Sequence, residues 1–145
     1  MRKWSLLSIP YVELHCHSGF SFLDGASHPE ELAVRAAEFG YPALALTDHN
    51  GLYGSMEFAH AARRVNVQPI TGAEVTLRDC FPGVEEPEGG HHVTLLAETP
   101  QGYANLCRLL TEAHMGSERG DTRLALPSLL ELSEGLILLS GCAQS

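Results

Sequence analysis

Short apolar runs of strand length recur along this chain, separated by stretches in which apolar positions return at helical spacing. Residues 11–14 and 43–46 read as short strands. Residues 67–70 read as a third strand region that continues through 75–77, and residues 92–97 and 136–139 as two more. Ser27-His28-Pro29-Glu30 announces a helix, with Ser27 as N-cap, Pro29 in the first turn and Glu30 completing a capping box. Leu32, Ala33, Ala36, Ala37 and Phe39 continue it at helical spacing until Gly40 ends it. Residues 55–64 predict a second helix, Thr99-Pro100 opens a third that reaches about Ala113, and residues 127–132 suggest a short fourth. Residues 78–90 and 115–123 read as surface connections. Strands alternating with helices predict an α/β fold of βαβ units, with a mainly parallel sheet that is open or closed into a barrel.

Composition narrows the functional classes. At 145 residues the chain is one domain, 1–145, long enough to bury a core. Its formal charge of −9, with only nine Lys and Arg, excludes a free-standing binder that grips nucleic acid through a basic face. If it handles nucleic acid, bound cations or another part of a larger machine must supply the attraction. Cys16, Cys80, Cys107 and Cys142 form no C-x-x-C pair, so a reduced cytoplasmic setting is the simplest account. Residues 1–10 lack the apolar core of a signal peptide, and no stretch approaches a membrane span, so no membrane partner is expected.

Three runs of metal-binding side chains then change the picture: Glu13-Leu14-His15-Cys16-His17, Thr47-Asp48-His49 and Gly72-Ala73-Glu74. Each follows an apolar run, and loops beyond the carboxyl ends of strands are where parallel α/β folds place their chemistry. Side chains two apart on a strand share a face, so His15 and His17 project together and can hold one cation between them, with Cys16 on the other face. Asp24 lies in the turn Leu23-Asp24-Gly25, where aspartate is common for backbone reasons alone. Asp48 is expected to orient His49 or the strand end. The mixed nitrogen and oxygen donors suit zinc, manganese or iron rather than calcium. His28, His60 and His114 read as surface or packing residues, as do Cys16, Cys80 and Cys107 as packing residues. With no Ser-His-Asp arrangement and no phosphate-cradling glycine loop in view, attack of a metal-activated hydroxide on a phosphoester is the natural chemistry.

The same wording resembles a known family. ELHCHSGFSFLDGASHPEEL, ALALTDHNGLYG, ITGAE, HHVTLLAETPQGYANL and EGLILLSGC are similar to the polymerase and histidinol phosphatase (PHP) domain of bacterial DNA polymerase III alpha subunits, most of all to the error-prone alpha-type polymerases. The resemblance implies a distorted seven-stranded (β/α) barrel with up to three metal ions, zinc or manganese, at one end. By motif it implies metal ligands at His15, His17, Asp24, His49, Glu74, His92 and Cys142, with Glu74 bridging two ions and Asp24, His49 and Glu74 central to catalysis. A final Asp-x-His motif of that family has no counterpart, so the chain is expected to correspond to roughly the first half of such a domain. The implied function is a metal-dependent phosphoesterase acting on DNA 3′ ends in a proofreading role, with the remainder of a polymerase chain as its partner. A catalytically silent structural module and a small-molecule phosphatase, such as a histidinol phosphatase, are the alternatives.

Overall fold

The computed structural model of the chain describes residues 11–78, 80, 83 and 89–140. In chain order these form α1 (Pro29–Glu38), β1 (Ala43–Leu46), α2 (Ser55–Arg64), β2 (Gln68–Arg78), β3 (His91–Ala97), α3 (Pro100–Met115), β4 (Leu124–Ala125), α4 (Leu126–Glu131) and β5 (Leu136–Ser140).

Local chemistry accounts for the helices. The α1 N-cap is His28, one residue later than the sequence suggests, and its amide donates to Glu31 Oε2 at 2.9 Å. Gly40, at φ +73°, ends α1, its amide bonding to Ala37 O while that of Tyr41 reaches Ala36 O, which satisfies the last carbonyls. Thr99 caps α3 by accepting from the Gly102 amide at 3.0 Å, with Pro100 in the first turn.

The strands pair in the order β1-β2-β3-β5, with the two-residue β4 joined to β2. The expectation of a mainly parallel sheet is corrected. β1 runs parallel to β2, but β3 runs antiparallel to β2, and β5 antiparallel to β3. Among the described residues no helix lies between β2 and β3, and an antiparallel pair needs no helical crossover. Residues 11–14 are not a regular strand either. Glu13 makes one bridge to Leu44, after which the Cys16 amide turns to Thr47 Oγ1 and that of Ser18 to Asp48, ending the ladder.

β2 is the axis of the molecule. Its first part pairs with β1 through Thr71, and from Gly72 onward it pairs with β3. α1 and α2 bury Ala33, Ala36, Phe58 and Ala62 against Leu44 and Leu46. α3 buries Leu106, Leu109 and Leu110 against Val75, Leu77 and Leu95. These two apolar clusters fix β1, β2 and β3 relative to one another, and the candidate site lies where those strands meet.

Candidate metal centre

Glu74 organises the centre. It sits inside β2, which runs on through the 75–77 continuation, at the level where β1 has finished and residues 47–50 still run beside it. The Glu74 amide donates to Thr47 O and Asp48 O, and its carbonyl accepts from the Asn50 amide at 2.7 Å. The carboxylate is 1% exposed, and its two oxygens face different partners. Oε2 touches His15 Nε2 and lies 3.4 Å from His17 Nε2, whereas Oε1 lies 3.3 Å from His49 Nδ1 and 2.8 Å from His92 Nδ1.

The antiparallel β3 explains His92. A histidine that opens its strand reaches the centre because the start of an antiparallel strand lies beside the far end of its neighbour; here His92 pairs with Thr76. His92 Nε2 also lies 3.1 Å from Gly89 O, an acceptor only, so Nε2 is the nitrogen placed to donate and Nδ1, which faces Glu74, is the one placed to ligate a cation. A backbone carbonyl fixing the distal nitrogen in this way is the usual support of a ligating imidazole.

Asp24 arrives by a different route. The loop from Ser18 to Ser27 is pinned at its base by Asp48, which is 1% exposed. Asp48 Oδ1 accepts from the Ser18 amide at 2.7 Å and from Ser21 Oγ at 2.8 Å, and Ser18 Oγ donates to the same carboxylate. Ser21 Oγ in turn accepts from the His49 amide at 3.0 Å. Asp48 therefore orients the loop and the His49 backbone, and not the His49 ring. Gly25 is needed because a Cβ there would sit 1.9 Å from Ser18 O. Leu23, at φ +75°, turns the chain so that Asp24 Oδ2 meets His49 Nε2 at 2.8 Å.

Among the described residues three groups of donors result: His15, His17 and Glu74; His17, Asp24 and His49; and His49, Glu74 and His92. Within each, the ligand atoms lie within 4.8 Å of one another. The groups share members. A neutral imidazole has one lone-pair nitrogen, so His49, whose two nitrogens face Asp24 and Glu74, can serve only one of its two groups at a time. The residues fit divalent cations. Glu74 Oε1 and His17 Nε2 are buried and make no hydrogen bond, although other donors stand close to both. Leaving such atoms unpaired is costly unless a cation takes them up.

Charge follows the same geometry. Burial alone would raise the Glu74 pKa, but the His17 and His15 rings against its carboxylate, with the charge of His49, hold it at about 2. The Glu74 contact raises His17 above its ordinary value against the opposing effect of burial, whereas burial lowers His49. In metal-free protein the Glu74 contribution to stability is complete above pH 4.5 and is lost as pH falls toward 2. That of His17 is complete below pH 6.5 and is lost as pH rises through its raised value. A cation needs His17 neutral. Zinc affinity, measured by chelator competition, is therefore expected to rise with pH from 6 upward, by up to about tenfold per unit for one displaced proton, and then to level off. An affinity flat between pH 6 and 8 would show that no imidazolium has to be discharged.

The structure thus brings together His15, His17, Asp24, His49, Glu74 and His92, while Cys142 lies outside the described residues. His91 is in none of the donor groups. Cys16 packs beside the α1 cluster, and burial, with Glu13 and Asp48 nearby, pushes its thiol to about 11, as suits a packing residue. His114 does more than the sequence suggests: its Nε2 donates to Asn50 O at 2.7 Å, tying α3 to the His49 loop. Asn50 itself, at φ +47°, clips that loop to Thr76 through both ends of its amide. Ser18, Ser21, Asn50 and His114 were not legible as site residues. The one available signal was the pair of small hydroxyls in H-S-G-F-S.

The PHP domain family matches residues 13–145. An error-prone DNA polymerase of Symbiobacterium thermophilum is 47% identical over 91% of this chain, a match that spans 13% of the polymerase. Among solved structures, an amidohydrolase from Chromobacterium violaceum is 32% identical with a TM-score of 0.56, over 72% of this chain and 34% of its own. A putative metal-dependent phosphoesterase from Bifidobacterium adolescentis shares the fold at 22% identity and a TM-score of 0.56, over 74% and 34% of the two chains.

Proposed function

This chain belongs to the PHP domain family, and on that premise we propose that it is the metal-dependent phosphoesterase domain of an error-prone, polymerase III alpha-type DNA polymerase, hydrolysing phosphodiesters at DNA 3′ ends. The observation that carries the reading is the placement of Glu74. One buried carboxylate presents an oxygen to each of two imidazole pairs, the arrangement expected of a ligand shared by two cations.

Bound divalent ions, zinc or manganese, would supply an activated water and neutralise phosphate charge. The residues of the chain do the rest. His15 and His17 hold one side of Glu74, and His49 and His92 hold the other. Asp24 is 47% exposed and stands at the mouth, where its carboxylate receives the proton or orients the water that substrate meets first. With a net charge of −9 on this chain, bound cations would help a polyanionic substrate to approach. Cys142 is proposed as a further ligand on the resemblance alone.

The test is direct. Protein loaded with manganese or zinc is expected to shorten a single-stranded oligonucleotide from its 3′ end, and chelator is expected to stop it. Asp24→Asn should lower the rate roughly 10²–10³-fold, the scale of losing one positioned charged group. Shortening indifferent to chelator would remove the reading. A second reading, a catalytically silent module of the polymerase, is favoured by the sharing of His17 and His49 between donor groups. Near-empty protein after metal loading would support it, and two or more tightly held ions per chain would oppose it.

A further inference from the structure

Beside the donor cluster lies a cleft of about 830 Å³ whose walls include His49, Phe20, Phe22, Tyr53 and Arg119. Its aromatic side chains are conspicuously exposed: Phe22 is 86% exposed, Tyr53 60% and Phe20 38%. No core packing accounts for them there. The loop that carries Phe20 and Phe22 also carries Asp24, and Tyr53 follows His49 by four residues. His49 itself lines the cleft, so an occupant of the cleft borders the cluster.

The walls are held in place. The Tyr53 ring lies across Gly51, so close that a Cβ at Gly51 would meet it at 2.2 Å. The loop wall is anchored through Ser18 and Ser21 to Asp48. The opposite wall, from the end of α3 onward, is tied by His114 to Asn50 O at 2.7 Å and by Thr122, whose hydroxyl lies 3.3 Å from His114 Nδ1. An aromatic-lined cleft that is already formed fits a flat ligand with little ordering cost. Aromatic faces accept any nucleobase, and Arg119 on the opposite wall suits a phosphate.

We infer that this cleft receives the 3′-terminal nucleotide of a single DNA strand. Its base stacks on Phe22 and Tyr53, with Phe20 beside them, so that the adjoining phosphodiester falls at the Glu74 cluster. The inference deepens the phosphodiesterase reading and rests on it for the identity of the occupant. A paired terminus would have to release its base before entering, so the cleft selects for frayed or mismatched ends.

The probe is a single-stranded decanucleotide with 2-aminopurine at its 3′ terminus and a hydrolysis-resistant phosphorothioate at the last linkage. Binding is expected to quench the fluorophore, and to do so far less when it is moved to the 5′ end. Phe22→Ala and Tyr53→Ala should each weaken the quenching titration by roughly tenfold, as loss of one stacking face predicts. Both side chains are more than half exposed, so their removal leaves the core intact. In hydrolysis, the metal-loaded wild type should prefer an ordinary 3′ end to an abasic one by a similar factor in KM, and the variants should lose that preference. Quenching that survives both substitutions, or equal KM for ordinary and abasic ends, would overturn the cleft. Quenching without any metal-dependent hydrolysis would sink the phosphodiesterase reading while leaving the cleft standing, and hydrolysis without quenching would do the reverse.

Discussion

Glu74→Gln is expected to strip the centre of its shared ligand and to lower metal-dependent hydrolysis by about three orders of magnitude. The substitution keeps volume but replaces an anion by a neutral amide with a single acceptor oxygen. Glu74 belongs to two of the three donor groups, so both weaken at once, and four imidazoles lose the charge they surround. Breaking one partner out of a buried charged set costs about 3–5 kcal/mol, which corresponds to the stated loss in rate if it is felt in the transition state. His15→Ala supplies the comparison, because His15 belongs to one group alone. It should remove roughly one equivalent of metal where Glu74→Gln removes more. Metal analysis by mass spectrometry on dialysed protein distinguishes the two. Equal metal content in Glu74→Gln and wild type would refute the bridging role.

The second large effect is expected at a residue that touches no cation. Asp48→Ala should destabilise the protein by about 2–4 kcal/mol in urea, because it leaves the Ser18 amide and the Ser18 and Ser21 hydroxyls buried without their acceptor. Ser18, Ser21 and Asp48 are each at most 2% exposed, so water does not easily replace the lost carboxylate. The functional consequence follows from the loop that these bonds hold. Once the base of the loop loosens, Asp24 is no longer presented to His49 Nε2, and the group containing those two residues should lose its metal first. Unfolding curves for Asp48→Ala and Asp48→Asn, each with and without zinc, provide the check. A change below about 0.5 kcal/mol with full metal content would mean that the loop is held by other contacts.

Much of this was legible from local chemistry. The helix that opens after Ser27-His28-Pro29 and closes at Gly40 follows from capping and from apolar spacing, both properties of a few neighbouring residues. The pairing of His15 with His17 on one face needed only the period of extended backbone, and their rings do lie 4.9 Å apart. The turn at Leu23-Asp24-Gly25 was equally visible, but not whether Asp24 serves as a turn residue or a ligand. Its position against His49 depends on Asp48, which lies 24 residues away in sequence.

By itself, then, the sequence determined the helices, four of its five strand-forming runs and the side chains chemically able to bind a cation, because each depends on residue type and short-range spacing. The tertiary structure alone decided that β3 runs antiparallel and so carries His92 inward, because a two-residue period is the same in parallel and antiparallel strands. It also decided that Glu74 would divide its two oxygens between separate imidazole pairs, and that Phe22 and Tyr53 would stand over one cleft. Those arrangements join residues that are far apart in the chain, and only the packing of the helices on β2 brings them together.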